Sequence, residues 1–203
     1  MSDIVGRLLR MSGLALGLLA ASTAIAQQPP STRIRGTIEK VEGSVLTVQA
    51  EKMGEVKVAL ADGAQVFAIG KGTLADVKPG GFIGVGAMPQ PDGSQRAIQV
   101  TVFAESLHGL GEGHRAWDRP GSTMTNATVE TTVASVDGQT AMVKYRDGEQ
   151  KIIITPEAVI RVYLPSDRSE LKPGVMIAGN AIRKPDGNFE VSRLNVGRDG
   201  MMP

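Results

Sequence analysis

The chain has 203 residues, with 22 Lys and Arg against 21 Asp and Glu, and a formal net charge of +1 at pH 7. It contains no Cys, which excludes disulfides, thiolate metal sites and a Cys nucleophile. The near-neutral balance, without runs of like charge, argues against nucleic-acid binding, because phosphates are neutralised by an excess of Lys and Arg on one face.

Residues 1–26 have the pattern of a cleavable signal peptide. Arg7 and Arg10 precede an apolar stretch, and residues 24–26 read Ala-Ile-Ala, a small-residue cleavage site. The apolar stretch is shorter than the roughly 20 residues that a membrane-spanning helix needs. We therefore predict a periplasmic or secreted bacterial protein that begins at Gln27 after cleavage and has no integral membrane span.

Two turn motifs occur twice at the same spacing. Lys-Pro-Gly stands at 78–80 and 172–174, and Pro-Asp-Gly stands at 91–93 and 185–187, so both are displaced by 94 positions. A fixed interval between two landmarks indicates a duplicated module. We predict a flexible lead-in at 27–32, a first module at 33–103, a connector at 104–126, a second module at 127–196 and a flexible tail at 197–203.

Both modules are predicted to consist of strands. Apolar residues alternate with polar ones, and Gly, Pro and Asp separate the runs, as in sheets with one buried face. Gly84 and Gly86 interrupt one predicted strand and indicate a bend or a close backbone approach, as small barrels need. The strands are expected at 33–41, 44–50, 55–60, 65–69, 82–88 and 95–103, then at 127–136, 140–145, 151–155, 159–164, 175–183 and 188–196.

The first module carries Gly36, Ile38, Val41 and Gly43 in the pattern Gly-x-Ile-x-x-Val-x-Gly, followed by Lys-Pro-Gly. This combination resembles exported bacterial OB-like domains of unknown function. The resemblance implies an all-β protein of two tandem small Greek-key barrels of the OB type. In the second module Glu130 replaces the opening Gly, so the match there depends on the turns. These motifs are structural and transfer no functional residue.

The connector is the part of the mature chain without a counterpart in the repeat, and it contains the rarest reactive residues. Both histidines and the only Trp fall within it. Imidazole, carboxylate and thioether groups in a Gly-rich loop suit a transition metal such as Zn, Ni or Cu. The candidate metal ligands are His108, His114, Glu112 and Met124.

Without a metal, the connector is expected to be structural or to bind a ligand through Trp117, Arg115 and Asp118. The sequence then favours a non-catalytic binding module without a cofactor, with a protein or small-molecule partner in the cell envelope and a site in the groove between the barrels. A transition-metal carrier or sensor is the alternative. A hydrolase using Ser122, His114 and Asp118 is a third possibility, although the Gly-x-Ser-x-Gly elbow is missing.

Overall fold

The computed structural model describes residues 31–203, which form an all-β fold with three single-turn 3₁₀ helices. This confirms the predicted all-β character; the predicted signal peptide lies outside the described residues. No helix within 31–203 is long and apolar enough to cross a membrane. The strands are β1 (Ser31–Glu42), β2 (Val45–Ala50), β3 (Gly54–Lys71), β4 (Phe82–Pro89), β5 (Gln95–Phe103), β6 (Gly113–Ala116), β7 (Thr123–Ser135), β8 (Gly138–Tyr145), β9 (Gly148–Ile154), β10 (Val159–Ser166), β11 (Met176–Arg183) and β12 (Phe189–Gly197).

Ten of these strands close into two rings of five. The first ring follows the order β1–β2–β3–β12–β11 and returns to β1, and the second follows β7–β8–β9–β5–β4 and returns to β7. Neighbours in each ring are antiparallel except β3 with β12 and β9 with β5, which are parallel. The strand β6 adds to the side of β7, and β10 joins the rings by pairing with β3 and β5.

Each ring takes strands from both copies of the repeat. The first ring combines β1, β2 and β3 of the first copy with β11 and β12 of the second, and the second ring combines β7, β8 and β9 with β4 and β5. The prediction that residues 33–103 and 127–196 form separate barrels is therefore wrong, because each barrel pairs strands of one copy with strands of the other. The repeat identifies equivalent segments, but an exchanged strand satisfies the same local pattern.

Each ring encloses its own apolar core. The alternation along the strands turns one set of side chains inward, so Ile34 and Leu46 of the first copy meet Ile177 and Leu194 of the second. The second core is built in the same way from both copies. Its fully buried members include Ile83, Val85, Val100, Ala127, Ala141, Ile152 and Ile154.

The Lys-Pro-Gly corners bind the opening strand of the other copy. Gly80 and Gly174 have positive φ angles of 82° and 87°, a conformation that favours glycine. The Gly174 N–H donates to the Ile38 carbonyl at 2.8 Å, and the Gly80 N–H donates to the Val129 carbonyl at 2.8 Å. These hydrogen bonds fasten the exchanged strands at the same point in both rings.

Ile38 and Val129 therefore hold equivalent positions, which corrects the alignment of the two modules. Gly36 corresponds to Ala127, whereas Glu130 lies at a bulge next to Val129. The first hairpin of the second copy is longer than its counterpart. Ile38 pairs with Val48, with residues 39–47 between them, whereas Val129 pairs with Val143, with residues 130–142 between them, which is four residues more.

The second half of β3 and the strand β10 occupy equivalent places in the repeat. They pair antiparallel, with Val66 opposite Ser166 and Lys71 opposite Arg161, as across a two-fold axis. The predicted strands 55–60 and 65–69 are one continuous strand, because Gly63 adopts a φ of 69° at a bulge. In the second copy a turn at residues 155–158 separates β9 from β10.

The two predicted flexible ends of the mature chain have defined structure where they are described. Residues 31 and 32 belong to β1, and Ser31 pairs with Ile182 of β11. The tail folds back, since the Arg198 N–H donates to the Ile69 carbonyl at 2.9 Å. The guanidinium Nη2 of Arg35 donates to the main-chain oxygen of Pro203 at 2.8 Å.

Candidate functional site

A single outer face extends across both rings where β3, β10 and β5 lie side by side. In this register Tyr163 of β10 is opposite Ile69 of β3 and Phe103 of β5. Since alternate residues of a strand share a face, Phe67 and Arg161 project from the same side. We refer to this side of β3, β10 and β5 as the shared face.

Aromatic side chains connect the two five-stranded rings along the shared face. Phe67 stacks on Tyr163 with centroids 4.9 Å apart, and Phe103 meets Tyr163 edge-on at 5.6 Å. Phe103 also contacts Phe82 of β4 at 5.6 Å, and Phe82 contacts His108 at 4.9 Å. Burial raises the pKa of Tyr163, so its phenol remains neutral. The aromatic part of the shared face is therefore a packing surface.

The connector lies on this aromatic surface. Leu107 and Leu110 pack against the cluster of Phe67, Ile69 and Tyr163. Beyond them, β6 pairs with β7, which turns the chain back towards the second ring. The connector is therefore a packed layer on the shared face.

Gly84 and Gly86 make room for this layer, and the groups that approach them closely are side chains rather than the backbone that the sequence predicted. A Cβ atom at Gly86 would collide with the indole ring of Trp117. A Cβ atom at Gly84 would lie 2.7 Å from the Asn126 Oδ1 and 3.0 Å from the Phe103 ring. Trp117, a predicted ligand-binding residue, is thus half-buried against β4.

The two histidines bind threonines on opposite faces of β7. His114 Nδ1 lies 2.8 Å from the Thr125 Oγ1, and His108 Nε2 lies 3.3 Å from the Thr128 Oγ1. Thr125 projects from the same side of β7 as the buried Val129, towards the core, whereas Thr128 projects from the opposite side. The structure therefore does not bring the two imidazoles together as ligands of one ion.

The remaining predicted metal ligands do not assemble around either histidine. Glu112 is exposed in a turn, where its N–H donates to the Gly109 carbonyl at 3.2 Å. Met124 lies opposite Arg115 in the β6–β7 pair. Within residues 31–203, no three His, Asp or Glu side chains are grouped closely enough to hold a metal ion.

Ser122 is used in the turn between β6 and β7. Its Oγ donates to the Arg119 carbonyl at 2.7 Å and accepts from the Arg119 N–H at 3.2 Å. Its carbonyl accepts from the Trp117 N–H at 3.0 Å. Because His114 bonds to Thr125, the Ser–His pair that a hydrolase needs is not formed.

Asp118 reaches a pocket that the other predicted residues do not line. This pocket has a volume of about 350 Å³ and lies between the first ring and the connector; we refer to it as the junction pocket. Arg115 instead donates from its Nη1 to the Gly111 carbonyl at 3.1 Å. The lining residues of the junction pocket are Arg33, Arg35, Glu51, Lys52, Met53 and Asp118.

Sequence reasoning missed the arginines of the junction pocket. Arg33 and Arg35 alternate on β1 with Ile34, which is buried in the core, so both guanidinium groups project from the outer side of the first ring. This alternation was the available signal. It indicates which side the arginines occupy but not that the connector meets them there.

Arg161 of β10 does not line the junction pocket, but its charge interacts with those of Arg33 and Arg35. Its Nε donates to the Thr101 Oγ1 at 2.9 Å. Burial, together with the positive charges of Arg33 and Arg35, lowers the pKa of Arg161. The ion pairs between side chains within residues 31–203 do not include these three arginines, but Arg35 binds the terminal oxygen of Pro203 at 2.8 Å.

The fold and this pocket define an all-β protein of two interlocked five-stranded rings with a charged pocket beside the connector. Comparison with protein-family models, curated proteins and solved structures finds no significant match. The chain's function must therefore be inferred from its own residues.

Proposed function

We propose that this protein is a non-catalytic binding module of the bacterial cell envelope, built from two OB-like barrels, with its ligand in the junction pocket. The observation that carries the proposal is the origin of the lining residues. Arg33 comes from β1, Lys52 from the β2–β3 turn and Asp118 from the connector, yet all three face one pocket. Convergent polar groups from separate segments are typical of a ligand site.

The chemistry of these residues favours recognition over reaction. Arg33, Arg35 and Lys52 supply hydrogen-bond donors with positive charge, and Asp118 and Glu51 supply acceptors. Ser122 and His114, the residue types suited to covalent catalysis, are engaged with Arg119 and Thr125. The assignment to the envelope depends on the predicted signal peptide, and the OB-like assignment is supported by the closure of five strands around each core.

The fluorescence of Trp117 offers a direct test, because it is the only Trp and precedes Asp118. We would titrate the purified protein with amino acids, dicarboxylates, sugars and sugar phosphates. At least one compound is expected to change the emission saturably. Its affinity should fall about tenfold or more in Asp118→Asn or Arg33→Gln, since each removes a hydrogen bond to a charged group.

Glu149→Gln provides the matched control, because Glu149 is an exposed residue of β9 in the other ring. It is expected to leave the affinity unchanged. The proposal is contradicted if no compound of this panel binds, or if the compounds that bind do so equally well to the wild type and to both pocket variants.

A further inference from the structure

A second pocket lies beside the second ring and shares no lining residue with the junction pocket. It has a volume of about 600 Å³, and we refer to it as the seam pocket. We propose that the seam pocket binds the acyl chain of a long-chain fatty acid. This inference is independent of the proposed function, which concerns the junction pocket. The apolar residues that line the seam pocket are Leu74, Pro156, Ala158, Val159, Ile160 and Met201.

The seam pocket lies where the strand pairing of the second ring is interrupted. β9 pairs with β5 as far as Ile153, and β10 pairs with β5 from Val159 onwards. The turn at residues 155–158 lies between these two pairings and lines the pocket. In the first ring, the corresponding pairing of β3 with β12 continues on both sides of Gly63. The opening at the seam therefore follows from the way in which the second ring closes.

The apolar wall of the seam pocket is continuous with the second core. Leu74, Ala158 and Ile160 line the pocket and also pack against the buried residues of that core. Val159 lines the same pocket and is 52% exposed, although its side chain is apolar. Covering apolar surface of this kind removes it from water, which favours binding of an apolar chain. The volume also lies in the range of small-molecule sites with mainly apolar walls. An alkyl chain in the pocket would extend the second core to the protein surface.

The polar residues of the seam pocket fit a carboxylate head on this chain. Lys71, at the end of β3, lines the pocket together with Thr155 and Glu157. The Glu157 Oε2 lies 3.7 Å from the Nη2 of Arg96, so this carboxylate has a cationic partner on β5. Lys71 presents an exposed ammonium group, which can pair with the carboxylate of a fatty acid while the chain occupies the apolar wall. A single acyl chain with a carboxylate head therefore matches both parts of the lining.

The test is titration of the purified protein with octanoate, decanoate and dodecanoate below their critical micelle concentrations, followed by NMR of the backbone amides. We expect one site, with an affinity that rises about fourfold for each added methylene, because each methylene leaves water on binding. The amide shifts should change at residues 71–74 and 155–160. They should not change at Lys52 and Asp118 of the junction pocket.

Val159→Glu should weaken dodecanoate binding at least about tenfold, because it places a charge against the alkyl chain. Val41→Glu, at an exposed valine of the first ring, is the matched control and should bind like the wild type. Ala158→Leu fills part of the pocket and should weaken the binding of dodecanoate more than that of octanoate. Lys71→Gln should weaken decanoate binding about threefold, the effect of losing an exposed ion pair, and should leave the binding of uncharged 1-decanol unchanged.

The inference is overturned if dodecanoate binds no more tightly than about 1 mM, or if its affinity equals that of octanoate. It is also overturned if Val159→Glu and Ala158→Leu both bind dodecanoate as the wild type does. If Val159→Glu fails to fold, as judged by circular dichroism, Ala158→Leu alone decides. Asp118→Asn should leave fatty-acid binding unchanged, so a failure at the seam pocket is distinguished from a failure at the junction pocket.

Discussion

The two rings are built from the same repeat but are closed differently. In the first ring, β3 pairs with β12 as one continuous strand, from Val58 opposite Phe189 to Ile69 opposite Gly197. In the second, β9 pairs with β5 only at Ile152 and Ile153, and β10 supplies the rest of the partner for β5. The interruption is the turn at residues 155–158, where Pro156 cannot donate to a ladder. Closure therefore depends on whether the third strand of a copy continues through its midpoint, and the second ring is expected to open more readily.

Separating the two copies should have the largest effect. Each of the fragments 27–121 and 122–203 lacks strands of both rings, so we expect neither to form a folded monomer. Mixing them should restore β structure and one cooperative unfolding transition. Circular dichroism and light scattering measure both outcomes. A folded monomer from either fragment alone would contradict the exchanged pairing.

Truncation of Ile177, a residue of the second copy, should destabilise the first ring, which also contains strands of the first copy. Ile177→Ala in β11 removes a fully buried side chain from the first core and is expected to cost about 2–5 kcal/mol in the free energy of unfolding. The accompanying loss of hydrogen-exchange protection should fall on β1, although β1 belongs to the other copy. Ile152→Ala in the second core is the matched comparison and should affect β4 and β8 instead. The same pattern of exchange in both variants would contradict the separation of the two cores.

Filling the space beside β4 should affect the connector rather than the closure of either ring. Gly86→Ala places a methyl group against the indole of Trp117, and overpacking of this kind costs about 1–3 kcal/mol. We expect the Trp117 emission to shift to the red as the ring is displaced. In a Trp117→Leu background, which removes most of the obstructing ring, the same change should cost less. An equal cost in both backgrounds would show that the contact does not constrain this position.

The smallest effect is expected from the histidines. Because His108 and His114 bind threonines on opposite faces of β7, titration with Cu(I), Cu(II), Zn(II) or Ni(II) under chelator competition should reveal no one-to-one site tighter than about micromolar. His108→Ala and His114→Ala should leave any weak uptake unchanged. Tight uptake that both substitutions abolish would restore the metal-carrier alternative.

Local features of the sequence predict the strands well and their partners poorly. The run from Phe82 to Met88 and the run from Gln95 to Phe103 are bounded by turn residues, and both are strands with nearly the predicted limits. The break expected near Gly63 is absent because glycine accommodates a bulge within a continuous strand. The sequence of β1 does not indicate which copy supplies its partner strand, because the equivalent strands of both copies have the same alternation of buried apolar residues.

The site was harder to predict than the fold for a related reason. The site was predicted in the connector because the connector contains both histidines and the only Trp. Of the predicted residues, Asp118 lines the junction pocket. Arg33 and Arg161 stand far apart in the sequence within ordinary strand patterns. Their charges interact because β10 pairs with β3, a strand of the ring that contains β1, and no local pattern encodes that pairing.

The exchange of strands also has a consequence for assembly. Two separate chains that traded strands in this way would fold only as a dimer, so their stability would fall on dilution. Here the segment from Ala104 to Ser122 links the two copies covalently, which turns that encounter into an intramolecular event with a high effective concentration. A protein built this way keeps the same fraction folded at any concentration.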